Sequence, residues 1–580
     1  MERKDTMKKL LSILMTVLLL AGIVGPVSAL AEEEPYWEIQ IYSELANYSG
    51  LQTGWFAKLL KDKFNVGFNI ITSSEGGSDR FATQLISGNL GDLIFLAENN
   101  GQEHLATAIE AGLILDLAPL MEEYAPNITN NYPLLLEKAR IQFGGGDKVF
   151  AIGQDAVPTT NDLQIDGGTD SWWGPYGRWD LYAQLAYPEI KDLDGLVEVL
   201  KQMHDLEPVN ADGEPVYAMS LWKDWDGGNM MAGTAFYAIF GYGDSFNYVC
   251  PHATEDSYIT LFDDDSLYIK TLKFYYDLNQ LGLLDPDSIT QTYSEVTTKE
   301  QTGRVLYNWF NPIKSNFNTA DRLAEGKAMT LLPFSTQCNY GYTGKPYGYG
   351  RTVSIGAKCE QPERLLKIID WMFSDEGLME SYNGPKDGTW TYDETGAPIL
   401  TELGWACYKV QMTEMPQELG GGTFYEGSNK GFYTYPSINF NLDSTGYPVN
   451  RDLWPCVLSK EMPAIISDWS EHMNGALTSI EAMVKNGLIV KTINQAVFST
   501  EEPLQMDAML QQKSSQVGSV ISEYSWKMVL ASSEAEFEAL RDEMIAKAKG
   551  LGYDDVVAFG VQQVEQLFRA RTAMLEDLSK

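Results

Sequence analysis

The early part of the chain alternates between two hydrophobic periods, and this narrows the fold more than any other feature of the sequence. WEIQIYS (Trp37–Ser43) alternates like a strand, and GWFAKLLKDKF (Gly54–Phe64) then places Phe56, Leu59, Leu60 and Phe64 on one helical face. VGFNIITS (Val66–Ser73) reads as a second strand, RFATQLISGNL as a helix ended by Gly88, and DLIFLA (Asp92–Ala97) as a third strand. LATAIEAG and LAPLMEEYAP are further helical pieces. Strands alternating with helices predict a parallel sheet covered on both faces, an α/β architecture.

The pattern recurs downstream. QPERLLKIIDWMF (Gln361–Phe373) puts Pro362 at a helix start and lines Leu365, Ile368, Ile369, Met372 and Phe373 along one face. Ser533 and Glu536 have capping-box spacing, and Phe537, Leu540, Met544 and Ala548 share a stripe that Gly550 ends. The candidate breaks are Gly144–Thr160 and Tyr340–Gly350, so two lobes with the chain passing back and forth are expected. The expected organisation is a leader over 1–31, a first lobe over 32–155, a second over 156–345, a return to the first over 346–450, and a C-terminal helical part over 451–580 packing on the second lobe.

Residues 1–31 have secretory-leader anatomy: Arg3, Lys4, Lys8 and Lys9, an apolar run from Leu10 to Val24, and small residues at Ala29 and Ala31. The run is short for a membrane-spanning helix, which needs about 20 residues. Ile23 stands where a lipoprotein signal would carry cysteine, so an exported chain starting near Glu32, without a lipid anchor, is expected. The formal charge of −38 excludes nucleic acid and anionic lipid as partners, because phosphate binding needs clustered Lys and Arg. Five cysteines without a CxxC pair make neither a disulfide scaffold nor a zinc pattern.

Familiar catalytic signatures are missing. The four histidines form no HExxH, and there is neither GxxxxGK[ST] nor GxSxG. Gly243–Asp244–Ser245 sits in an aromatic turn context. Asp263 to Asp265 read better as acids at a helix N-terminus than as a calcium site. No cofactor and no metal are expected. Aromatic residues in Gly-rich, loop-like contexts remain: Trp172, Trp173, Tyr176, Trp179 and Tyr182; Trp222 and Trp225 beside Asp224 and Asp226; Trp309 and Phe310; Trp390 and Tyr392. Indole presents a flat apolar face and one N–H, complementary to the C–H face and hydroxyl rim of a sugar ring. The set points to carbohydrate binding; each Trp taken alone reads better as core or interlobe packing.

The ordered segments SGNLGDLIFLAENN, EAGLILDLAPLMEEYAPNI, DKVFAIG, GRWDLYAQLAYPEIKDLDGLVEVLKQMHDLEP and AKCEQPERLLKIIDWMFSDEG resemble those of the family 1 extracellular solute-binding proteins of bacterial ABC importers, above all the large oligosaccharide-type members. The resemblance spans Tyr36 to about Phe568. It implies a type II periplasmic-binding-protein fold: two α/β lobes, a hinge of several strands and a ligand cleft that closes. It implies a binder rather than an enzyme, monomeric, with an oligosaccharide ligand and an ABC permease's transmembrane subunits as partners. RVLYNWF carries the family's stacking role onto Trp309; Glu44 and Asn47 follow the first strand, and Arg178 is the expected cleft cation. The full expected ligand set is Glu44, Asn47, Trp172, Trp173, Arg178, Trp222, Trp225, Asp226, Trp309, Tyr347, Arg351 and Trp390. Where many large relatives carry an acid-rich calcium loop, this chain has EPVNADGEPVY, with only Glu207, Asp212 and Glu214. A peptide or other small-solute binder of the same fold, and a secreted carbohydrate-active enzyme, are the alternatives.

Overall fold

The computed structural model describes residues 34–579 except 47, 73–78, 98–100, 160–168, 349, 431–435, 437, 439–440, 461 and 494–496. The expected leader and Asn47 therefore lie outside the described residues. In chain order, the strands that build the lobes and their connection are β1 (Trp37–Ser43), β2 (Gly50–Leu51), β3 (Val66–Thr72), β4 (Leu93–Leu96), β5 (Ile152–Gly153), β6 (Trp173–Arg178), β7 (Tyr307–Phe310), β8 (Met329–Leu331), β9 (Asn339–Tyr342), β10 (Thr352–Ile355) and β11 (Ile489–Thr492).

In the first lobe a six-stranded sheet runs β2-β3-β1-β4-β10-β5. Strand alternation sends Ile39, Ile41, Leu93 and Phe95 to one face and Tyr42, Ile94 and Leu96 to the other. Helix α1 (Gly54–Phe64) covers the first face with Trp55, Phe56, Leu59 and Leu60, three of which its spacing predicts. Pro362 opens the helix Pro362–Met372, whose Leu365, Ile368, Ile369 and Met372 are buried in the same core. The expectation of a parallel sheet is met only in part. β1 pairs parallel with β3 and β4, but β10 runs antiparallel to β4 and β5, because it re-enters from the other lobe.

A smaller antiparallel sheet, β8-β6-β7, anchors the second lobe. Its core also takes in Trp469, Met473, Val517, Ile521, Trp526, Met544 and Val556 from the C-terminal helices. Asp226, expected in the ligand set, instead joins these helices to the lobe: one oxygen accepts from the Met231 N–H at 2.9 Å, the other from Trp526 Nε1 at 2.7 Å and Ser522 Oγ at 3.1 Å. Burial pushes its carboxyl up, against these three donors. The Ser533–Glu536 cap is displaced by one residue: Ser533 accepts the Glu536 N–H, but the Glu536 carboxylate closes on Ser532.

Three chain segments connect the lobes side by side. β9 pairs parallel with β11, Thr343 continues to Thr492, and Lys345 bridges to Ala156. Tyr347, another expected ligand residue, packs beside this connection with Leu134, Ile493 and Met574, and its hydroxyl donates to Asp577 at 3.2 Å. The final helix thus reaches from the second lobe to the connecting strands.

Arg178 is not a cleft cation. It is fully buried and forks onto two carboxylates, Asp180 at 2.9 and 2.7 Å and Glu207 at 2.7 and 3.0 Å, with its plane 4.8 Å from the Phe317 ring. Burial pushes the Glu207 carboxyl up, but the guanidinium outweighs it and holds it below the usual range. Removing one member of such a group strands the others in a poorly solvated site. Arg178→Ala is expected to destabilise the protein by about 3 kcal/mol, read as a lowered urea midpoint at neutral pH; an unchanged midpoint would show that the group contributes nothing net.

Candidate aromatic binding face

Strand ends converge at one edge of the second lobe. β6 and β7 are antiparallel, so Trp173 at the start of one faces Phe310 at the end of the other. Residues 217–219 run alongside β7, with the Leu306 N–H donating to Tyr217 and the Tyr307 N–H to Ala218, so Trp222 arrives at the same edge. Helix α2 (Tyr293–Gln301) begins there because the Tyr293 N–H donates to Asp224 at 3.0 Å. Four separate segments thereby deliver seven aromatic rings to one place.

The rings form two layers. Trp222 and Trp309 lie underneath, 1% and 0% exposed, with centroids 5.0 Å apart. Trp309 Nε1 donates to the Tyr275 hydroxyl at 2.9 Å, whereas Trp222 Nε1 is buried with no acceptor among the described residues. Above them, Trp172 is 63% exposed and stacks on Phe310 at 5.7 Å and 22°. Trp225 is 42% exposed and meets the same Phe310 edge-on at 5.6 Å and 80°. Trp173 and Tyr293 fill the intervals, each tilted against Phe310 or its neighbours. The outer surface is therefore two aromatic planes set at a steep angle around Phe310. It adjoins the connecting strands: Asn339 Nδ2 donates to the Trp173 carbonyl at 2.6 Å, and Tyr340 and Val490 pack with Trp173. Lys314 is held by both oxygens of Asp170 at 2.8 and 3.0 Å.

On the first lobe, Glu44 follows β1. One oxygen lies 2.5 Å from His104 Nδ1 and the other accepts the Ala97 N–H at 3.0 Å. With a carboxylate as acceptor, Nδ1 carries the proton. The imidazole stacks on Phe81 at 3.9 Å and 13°. Glu44 thus orients His104 rather than offering a free carboxylate. Nearby, burial pushes the Tyr42 phenol up and Glu44 adds to it.

The structure gathers Trp172, Trp173, Trp222, Trp225 and Trp309 but exchanges their roles. Trp309, expected to stack on ligand, exposes no face; alternate strand residues point opposite ways, and it is Phe310, itself buried, that meets the exposed Trp172 and Trp225. Trp222 is likewise an underlayer. Trp390 lies elsewhere, in an apolar cluster with Leu378, Val449 and Trp454, its Nε1 donating to the Gly384 carbonyl at 2.8 Å. Arg351 sits at the first lobe's sheet, its carbonyl accepting the Gln154 N–H at 3.1 Å. Sequence reasoning named Phe310 in the aromatic set but left it out of the ligand set, and it missed Tyr293 as a member of the face and the pairing of His104 with Glu44. Phe310 stood beside Trp309 in the same run; the pairing of Tyr293 with Asp224 is a tertiary contact with no local signal.

The layers respond differently to truncation. Trp309→Ala is expected to cost about 3–5 kcal/mol of stability, as for other buried aromatics, whereas Trp225→Ala should cost less than about 1.5 kcal/mol. Urea denaturation of the two variants checks this; equal losses would contradict the layering.

Comparison with known proteins follows this geometry. No curated protein matches the chain. Among solved structures, an HMO binding ABC-transporter associated solute binding protein from Bifidobacterium longum infantis matches with TM-score 0.54 and 13% identity, covering 92% of this chain and 99% of its own. An N-glycan transport solute binding protein, NgtS, from Streptococcus pneumoniae matches with TM-score 0.48 and 11% identity, covering 92% and 99%. The family model for bacterial extracellular solute-binding proteins matches residues 42–379, more than half of the chain. With two lobes, connecting strands and that match, the chain belongs to the bacterial extracellular solute-binding protein family.

Proposed function

We propose that this protein is the substrate-binding component of an ABC importer and captures an oligosaccharide or glycan fragment between its lobes, without catalysis. The observation that carries this reading is the aromatic corner beside the connecting strands, where the exposed Trp172 and Trp225 flank the buried Phe310. Sugar rings stack on such planes by their C–H faces, and the corner holds a ring from two sides. His104, oriented by Glu44, supplies a polar group from the opposite lobe. A ligand touching both lobes has higher affinity for the closed arrangement and shifts the population towards it. The permease then reads the closed form. The N-terminal leader exports the chain, and Ile23 stands where a lipoprotein signal would carry its cysteine. It acts as a monomer.

A thermal-shift screen of the chain from Glu32 to Lys580 against oligosaccharides, with peptides as controls, tests this. A ligand at 1,000 times its dissociation constant stabilises by about 4 kcal/mol, enough to raise the melting temperature by several degrees. One glycan class is expected to shift the transition, with no new product by mass spectrometry. Trp172→Ala and Trp225→Ala are each expected to weaken that glycan tenfold or more, about 1.4 kcal/mol. A peptide hit would move the ligand class, product formation would make the protein an enzyme, and glycan binding untouched by either variant would remove the aromatic corner from the site.

A further inference from the structure

A buried carboxylate lies behind the aromatic face. Glu300, at the end of α2, is fully buried. Its Oε1 accepts from Asn308 Nδ2 at 2.8 Å and its Oε2 from Asn316 Nδ2 at 2.7 Å. Asn308 lies on β7; Asn316 lies on helix α3 (Pro312–Phe317). The amide oxygen of Asn308, Oδ1, accepts the Phe310 N–H at 3.1 Å. The adjoining Asn311 N–H goes to the Trp172 carbonyl across the β6–β7 pair, so Phe310 is held by a side chain where its neighbour is held by the strand ladder.

Among the described residues no cation pairs with Glu300. On its own helix, Lys299 is held by Asp285 and Asp287, Glu295 closes on Thr292, and Tyr293 belongs to the aromatic face. On α3, Lys314 is held by Asp170; on β7 the ionisable neighbour is Tyr307; and Arg322 goes to the Gln301 and Phe317 carbonyls. An unpaired carboxylate in such a place is unfavourable for folding, and an apolar residue of similar volume would fill the site at less cost.

We propose that Glu300 is a positioning residue for the ligand face, fixing Phe310 through the Asn308 amide so that Trp172 and Trp225 meet it at their observed angles. Its part in ligand binding rests on the reading of this face as the site; the positioning itself does not. Burial pushes the Glu300 carboxyl up to about 7, with the two amides pulling it back. The two amides are not equivalent towards a proton. Asn308 cannot turn without presenting N–H to the Phe310 N–H, whereas the Asn316 side chain has no second hydrogen bond among the described residues. The proton therefore goes to Oε2, Asn316 turns to accept it, and the link to Phe310 survives.

The sign follows. The folded carboxyl titrates above its unfolded value, so stability falls as pH rises from about 4.5 to about 7 and stays low above that. Glu300→Gln keeps an acceptor for Asn308 and offers N–H to a turned Asn316, so it removes this dependence.

The experiment places 4-fluorophenylalanine at position 310 and needs no ligand. The wild type and Glu300→Gln are each expected to show one sharp fluorine resonance at the same shift. Glu300→Leu and, as a second variant, Asn308→Ala should move or broaden it. The melting-temperature gap between Glu300→Gln and wild type should widen from pH 5 to pH 8. An unchanged resonance in whichever of Glu300→Leu and Asn308→Ala folds, or a gap independent of pH, overturns the proposal, whatever the glycan screen shows.

Discussion

Backbone pairing between the lobes is the constraint on which the remaining architecture depends. Each lobe closes its own core, and few side chains need to cross. What crosses is hydrogen-bonded backbone: β9 against β11, and Lys345 against Ala156. Strands resist shear along the ladder but twist readily, so two compact bodies joined in this way move as bodies. The same pairing sets Asn339 and Tyr340 against Trp173 and so places the aromatic edge next to the pivot. Near a pivot, rotations translate into small displacements, so the face would keep its geometry in the proposed closure.

The aromatic edge separates support from presentation. Trp222 and Trp309 fill volume that aliphatic residues could fill, but their rigid planes hold the upper rings at fixed angles. Trp222 Nε1 has no acceptor among the described residues, and leaving such a group unpaired costs about 1–3 kcal/mol that the surrounding packing must sustain. Such a defect is tolerated where ring shape matters more than polar balance.

How much of this was legible follows from the range of the interactions. Local periodicity suffices for α1, where Phe56, Leu59 and Leu60 are buried as their spacing requires, and for the helix opened by Pro362. It fails for β10, whose direction depends on where the chain re-enters. The aromatic runs told that a face exists and which segments build it. They did not tell which ring of Trp309–Phe310 meets the two exposed indoles, because that parity is set by the pairing with Trp173 on β6. Arg178 shows the opposite limit: a lone arginine beside an acid in sequence looks available, and only the folded position of Glu207 encloses it.

Asp226 has a consequence for how recognition is financed in entropy. It follows Trp225 directly; its hydrogen bonds from Ser522 and Trp526 join that turn to the long helix Ala508–Val529, and the one from the Met231 N–H closes the turn on itself. Ordering a loop residue costs about 1–2 kcal/mol of backbone freedom, and here folding has already met that cost before any ligand arrives. If the aromatic face takes solute as proposed, the C-terminal helices act as a preorganising brace: incoming solute would find its indole already in place, and more of the contact energy would remain as affinity.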